Sequence, residues 1–197
     1  VAFVHSFLPA GGSTIYSLTL AGELARRGVP VEVFSMSRPH PLRDDFARRQ
    51  VPVSIGRWDG VIFEDRVRHI LRGLSRFGPQ VVVANLEAGP GEVLAQLPRG
   101  VWRVGVVHAL CQDTMAALYS GVVDELVAVS EFVAETLARE PRLRGRSIRV
   151  ITPGVQGPAG SARSWRRPDE PLRILYLGRL DEAAKRVRLF PDIWRSL

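Results

Sequence analysis

The chain predicts an α/β fold built on a doubly wound parallel sheet, and three observations carry that prediction. Short runs rich in Val and Ile recur between longer amphipathic stretches, the pattern of strands alternating with helices. The runs are apolar almost without interruption, as in Val81-Val82-Val83-Ala84 and Val104-Gly105-Val106-Val107. Strands read this way when helices cover both faces of the sheet, whereas one-sided sheets keep an apolar/polar alternation. Third, with 46% hydrophobic and 24% charged residues in 197, the composition is that of a folded globular protein rather than a disordered one.

The expected strands are residues 1 to 5, 31 to 36, 51 to 55, 81 to 84, 102 to 107, 125 to 129, 148 to 151 and 172 to 177. The first helix is expected to begin near Ser13, a good N-cap, and to end at Arg26-Arg27-Gly28, with cations beside the negative helix end and glycine as the residue beyond it. Ile15, Leu18, Leu24 and Ala25 would form its buried stripe. A second helix, residues 61 to 77, gathers Phe63, Val67, Ile70, Leu71, Leu74 and Phe77 on one face and Arg66, Arg68, Arg72 and Arg76 around the other. That basic amphipathic helix suits packing on the sheet with a solvated outer face, and leaves open peripheral contact with an anionic membrane surface. A later helix opens at Ser130, with Glu131 in its first turn.

From residue 155 to 171 the text turns to Gly, Pro and charge without periodicity, a linker. The expected organisation is a complete domain over 1 to 154, the linker 155 to 171, and the start of a second domain at 172 to 197. The chain reads as a fragment.

Lys and Arg number 27 against 20 Asp and Glu, a net charge of +7, and Lys185 is the only lysine. The arginines are dispersed and no basic/aromatic interleaving occurs, so nucleic acid is not an expected partner. The single cysteine, Cys111, excludes an internal disulfide and a zinc site of several thiolates. No run approaches the roughly 18 apolar residues of a membrane span. The expected setting is cytoplasmic, with the inner face of the membrane as an alternative through residues 61 to 77.

In open parallel sheets ligands sit outside the carboxyl ends of the strands. The first strand ends in His5, followed by Pro9-Ala10-Gly11-Gly12; strand 81 to 84 ends in Asn85-Leu86-Glu87; strand 102 to 107 ends in His108; strand 125 to 129 ends in Ser130. Each alone also fits a wet strand end, and Ser130 fits a helix cap; together they suggest one cleft. Gly11 and Gly12 before a helix start offer close backbone approach, free N–H groups and a favourable dipole to a phosphate or a sugar hydroxyl. The loop lacks the G-x-G-x-x-G spacing and no G-x-x-x-x-G-K-[ST] loop occurs. His108 could hydrogen-bond a sugar or stabilise charge. Its spacing of three from Cys111 offers no third partner for metal or thiol chemistry, and Cys111 reads as packing. Arg179 and Lys185 flank another carboxyl-end turn, where a diphosphate would meet both cations and a helix start.

The order of these segments resembles the GT-B glycosyltransferases of the retaining family 4 type, over residues 1 to 197. The resemblance is carried by Phe7-Leu8-Pro9-Ala10-Gly11-Gly12 with Leu24 to Val31, by Val106-Val107-His108, by Val123 to Glu131, by Ile151-Thr152-Pro153-Gly154-Val155, and by Leu175 to Asp181 with Lys185-Arg186. It implies two Rossmann-like domains facing a cleft, with a nucleotide-sugar donor held mainly by the second and a carbohydrate or lipid-linked acceptor mainly by the first. It implies that Gly11 and Gly12 meet the donor, that His108 lies near the transferred sugar, and that Arg179 with Lys185 neutralises the diphosphate in place of a metal. The nucleotide sugar is then a co-substrate and no cofactor is expected. Asn85, Glu87 and Ser130 complete the candidate binding residues. The family's pair of glutamates eight apart would fall beyond Leu197, so these residues alone are expected to be inactive. Alternative readings are a GT-B sugar epimerase or phosphorylase, and a non-catalytic sugar-, nucleotide- or membrane-binding module.

Overall fold

The computed structural model describes residues 1–37, 41–56, 62–154, 175–176, 178 and 186–196, with the Cys111 side chain left out. Its contacts divide the chain into two units, Val1–Gln156 and Gly157–Leu197.

The first unit is a seven-stranded sheet, every neighbouring pair parallel: β1 Ala2–His5, β2 Glu32–Ser35, β3 Val53–Ile55, β4 Val81–Asn85, β5 Trp102–Val107, β6 Glu125–Ala128 and β7 Ile148–Val150, in the order β3-β2-β1-β4-β5-β6-β7. This is a Rossmann-like doubly wound α/β fold. Helices α1 Gly12–Arg26, α2 Arg43–Arg48, α3 Phe63–Phe77, α4 Pro90–Ala95, α5 Asp113–Leu118 and α6 Glu131–Ala138 form the crossovers.

The period of two along each strand divides the core between the two faces. Phe3 and Val33 pack with Leu18 and Ala21 of α1 and Phe46 of α2. Ala2, Val4, Phe34, Val82, Ala84, Leu126 and Ala128 pack on the other face with Val67, Ile70 and Leu74 of α3, Val93 and Leu94 of α4, and Val133 and Leu137 of α6. Burial on both faces is the physical reason the strands read as unbroken apolar runs.

Helix α1 departs from expectation at its start. Gly11, not Ser13, occupies the N-cap: its dihedrals are extended (φ −151°, ψ 171°) and its carbonyl accepts the first helical bond from Ile15 N at 3.0 Å. Ile15 is 46% exposed, because the stripe that meets the sheet runs through Thr14, Ser17, Leu18 and Ala21. The other end is as expected. Gly28 sits at φ 76°, and Val29 N and Gly28 N donate to the carbonyls of Leu24 (3.0 Å) and Ala25 (2.9 Å), the paired bonds of a Schellman motif.

Helix α3 spends its apolar stripe on the core. Val67, Ile70 and Leu74 are buried, and Leu71 and Phe77 pack against them; Phe63 departs from the expected stripe at 42% exposed, since it lies in the first turn beyond the sheet-facing surface. Among the described residues no helix is long and apolar enough to cross a membrane.

Helix α4 lies tight against the neighbouring crossover: a Cβ built on Gly91 would come within 2.1 Å of the Tyr119 ring. Alanine is worth about 1 kcal/mol over glycine inside a helix, but overpacking a core costs about 1–3 kcal/mol. Tyr119 is buried and an aromatic ring cannot bend away, so the clash outweighs the propensity. Gly91→Ala is expected to lower the urea midpoint; a higher midpoint would contradict this packing.

In the second unit a 3-10 turn, Val187–Leu189, runs into α7, Phe190–Arg195, and the rings of Tyr176 and Phe190 lie 4.6 Å apart. Of the expected strand 172 to 177 only Leu175 and Tyr176 are described, in no regular structure. The expected linker 155 to 171 lies outside the described residues.

Candidate functional site

Because neighbouring strands are parallel, all their carboxyl ends lie on one rim. The strand order reverses between β1 and β4, so the loops leaving these two adjacent strands run to opposite sides and open a crevice between them. Gly11 and Gly12 follow β1, Asn85 ends β4 with Glu87 beyond it, and His108 and Ser130 follow β5 and β6, four consecutive positions across the sheet, and the structure therefore gathers them on this rim.

Register and side-chain parity decide which of them touch. Val4 pairs with Ala84, so His5 stands beside Asn85; Asn85 pairs with Val106, so His108 stands two residues further along β5's path. Alternation turns His5 and Asn85 to the same face as Phe3, the face that α1 covers. The result is a buried polar chain. Ser17 Oγ of α1 is 2.9 Å from His5 Nε2, His5 Nδ1 is 3.1 Å from Asn85 Nδ2, and Asn85 Oδ1 is 3.0 Å from His108 Nε2. His5 and Asn85 are only 2% and 3% exposed; His108 is half-buried, with the Tyr16 ring edge-on at 5.1 Å.

Burial dominates the electrostatics. It pushes the His5 ring down to about 3, the neighbouring His108 adding to the effect, and pushes His108 down to about 4. Both imidazoles are neutral at physiological pH, each with one donor and one acceptor nitrogen.

The turn after β5 is pinned by a side-chain amide. Gln112 Oε1 accepts from the backbone N–H groups of His108 (2.6 Å) and Ala109 (3.3 Å), while its Nε2 donates to Glu87 Oε1 at 3.3 Å. Burial raises the Glu87 carboxyl above its ordinary value, with partial relief from the nearby Ser6 hydroxyl, whose Oγ donates to the Ala88 carbonyl at 2.7 Å. Glu87 is thus a partly accessible carboxyl beside the histidine loop.

At the Gly11-Gly12 loop no side chain caps α1, and a Cβ on Gly12 would meet nothing within 4 Å. Among the described residues the N–H groups of Gly12 and Ser13 have no partner, so they keep their donors for solvent or a ligand at the positive end of the dipole. Ser130 caps α6, its hydroxyl accepting from Val133 N at 3.2 Å. Arg179 and Lys185 lie outside the described residues. Among the described residues no group of three or more His, Cys, Asp or Glu has the geometry to hold a metal ion.

Sequence reasoning placed His5 at a strand end but did not include it, Ser17, Tyr16 or Gln112 among the site residues. One signal was available: Ser17 interrupts the core-facing side of α1 before Leu18 and Ala21, and a buried hydroxyl calls for a polar partner, which Ser17 finds in His5, whereas Thr14 Oγ1 is buried with no partner among the described residues. A groove of about 580 Å³ lies elsewhere, lined by Glu23, Arg26, Arg48 and Arg49 towards the far end of α1. Two of its three arginines are engaged with carboxylates, Arg26 with Glu23 and Arg48 with Asp45, both at 2.6 Å, and it carries none of the rim residues.

A family model described as Glycosyltransferase Family 4 matches residues 10–156. Among solved structures, a glycosyltransferase from Rickettsia africae ESF-5 superposes with a TM-score of 0.58 at 13% identity, over 78% of this chain and 43% of that one. MurG from Acinetobacter baumannii superposes with a TM-score of 0.60 at 11% identity, over 81% of this chain and 47% of that one. At such identities the likeness is one of fold, and the chain spans less than half the length of either structure. No curated protein matches the chain.

Proposed function

From a chain that belongs to glycosyltransferase family 4, we propose a role in moving a sugar from a nucleotide-sugar donor to a hydroxyl of a carbohydrate or lipid-linked acceptor, with retention at the anomeric carbon. The observation that supports this reading most is the half-buried, neutral His108, held by Asn85 at the switch point of the sheet beside an uncapped helix start. That combination suits a sugar: hydroxyls pair with an imidazole nitrogen, and free N–H groups meet hydroxyl or phosphate oxygens. A groove of about 190 Å³ lined by Ser6, Met36, Ser37, Phe63, Arg66 and Ala88 supports an acceptor approach from the β1–β2 side of the rim.

In this reading residues 1 to 154 form the acceptor-side domain and residues 172 to 197 begin the donor-side one, joined by the linker 155 to 171. The bond from the anomeric carbon to the diphosphate oxygen lengthens with oxocarbenium character, its electron pair moving to the leaving phosphate. The acceptor hydroxyl attacks from the same face and passes its proton to an oxygen of the departing diphosphate. Arg179, forking to two oxygens, and Lys185, as a point charge, stabilise the charge that accumulates on the diphosphate, so the step calls for no metal.

The test is a transfer assay with a panel of nucleotide sugars. In the whole protein, Arg179→Ala is expected to weaken nucleoside diphosphate binding at least tenfold, the scale of a lost charge-assisted bond; unchanged affinity removes its role. Residues 1–197 alone are expected to give no transfer, and turnover by them contradicts the proposed division of labour. Isomerised or phosphorolysed sugar as product would favour the epimerase or phosphorylase reading.

A peripheral membrane contact through residues 61 to 77 is supported by the exposed Arg68, Arg72 and Arg76, together with Ile62, 60% exposed at the start of α3. With the stripe of α3 already packed on the core, that contact would rest on charge and the first turn, in a cytoplasmic setting.

A further inference from the structure

We propose that Asn85 and His5 are positioning residues that fix the tautomer of His108, leaving Nδ1 as an open hydrogen-bond acceptor at the rim. The functional half of this inference rests on the sugar-facing role given above to His108; the tautomer itself does not.

The protons can be placed one at a time along the hydrogen-bonded chain. Asn85 has chemically different ends, a donating Nδ2 and an accepting Oδ1, and both are consumed inside the fold. Nδ2 donates to His5 Nδ1, so that nitrogen carries no proton; the neutral ring then holds its proton on Nε2 and donates it to Ser17 Oγ. Oδ1 can only accept, so His108 carries its proton on Nε2 and donates it to Asn85. The ring of His108 is left with Nδ1 bare, and Nδ1 has no partner among the described residues. Turning the amide of Asn85 over would reverse every step: His5 would carry its proton on Nδ1, and His108 would offer an N–H where it now offers a lone pair. The orientation of one buried amide thus decides whether His108 accepts a hydrogen bond from a substrate hydroxyl or donates one.

The geometry suits a positioning role. His5 and Asn85 are almost wholly buried and cannot meet a substrate themselves. They come from two adjacent strands of a parallel sheet, among the least deformable parts of the fold, and a chain in which each bond polarises the next holds its members in place. The half-buried His108 is the one member of the hydrogen-bonded chain that is not fully buried.

Two measurements test the proposal. Nitrogen-15 shifts of the histidine rings in this chain at neutral pH are expected to report His108 and His5 each protonated at Nε2. In Asn85→Leu, similar in size and unable to pair with either ring, His108 is expected to shift to the averaged signals of two exchanging tautomers. Protonation of His108 at Nδ1, or unchanged shifts in Asn85→Leu, would overturn the proposal. Kinetics of the whole protein supply the second. Asn85→Leu is expected to lower kcat about tenfold, the scale of one lost hydrogen bond, with KM little changed, and to have no further effect once His108 is alanine. Effects that add in the double variant would mean that Asn85 acts through general stability. Should Asn85→Leu fail to fold, His5→Gln takes its place in the cycle, and the wild-type shifts alone still decide the tautomer. A protein with no transferase activity would defeat the functional reading and leave the nitrogen shifts to judge this one.

Discussion

On the proposed function, His108→Ala is expected to slow glycosyl transfer by the whole protein by roughly 10²- to 10³-fold, the cost of removing one preorganised group aimed at developing charge or at a reacting hydroxyl. Its effect on folding has a separate origin. The ring is half-buried, and its loss removes an edge-on contact with Tyr16 and leaves Asn85 Oδ1 buried without its donor. An orphaned buried acceptor costs about 1–3 kcal/mol, which a folded domain tolerates at room temperature. Assayed well below its unfolding midpoint, the variant should therefore be folded and slow. A loss of activity that only follows the fraction unfolded would assign His108 to the framework. His108→Gln sharpens the comparison, since a side-chain amide restores a donor to Asn85 but replaces the imidazole nitrogen at the rim: recovered stability without recovered rate is the expected outcome.

The inner strands were legible because both of their faces are covered. Phe3 and Val33 turn to one layer of helices, and Val4 and Phe34 to the other, so nothing interrupts the apolar text. The long helices were legible from their periodicity. Six-residue helices such as α2, α4 and α5 carry too few turns for a period to emerge, and went unpredicted. The misplacement of Ile15 has a similar cause: the stripe of α1 is partly polar, and Thr14 and Ser17 are buried where hydrophobicity alone would put Ile15.

The rim residues were legible for a simpler reason, that the end of a parallel strand is visible in the text wherever an apolar run stops. Which of them meet was not. His5 and Asn85 are 80 positions apart, and their contact follows from the register of β1 against β4 and from the parity of both side chains. A sequence shows neither. Asn85 was expected to face a substrate; the structure instead spends both ends of its amide inside the protein.

The same pair of rings predicts an acid-sensitive fold. His5 and His108 are held neutral, at about 3 and about 4, against an ordinary value of 6.5. On unfolding at a pH between those limits each ring takes up a proton that the folded state refuses. The unfolded state therefore binds more protons, and stability rises with pH through this window and falls as pH drops below 6.5. Two such groups give a slope of about 2.7 kcal/mol per pH unit once the unfolded rings are fully protonated. Glu87 works in the opposite sense. Its raised value means that the folded state holds a proton the unfolded one has released, so above 4.5 it adds stability as pH falls and partly offsets the histidines. The slope is read as the unfolding free energy from urea titrations at several pH values between about 6.5 and 5, as the net of the two histidines and Glu87. His5→Gln removes one of the two protons and is expected to roughly halve the slope, whatever it does to stability at pH 7. A slope that is flat in the wild type, or untouched by His5→Gln, would mean that the two rings are not neutral neighbours in the fold.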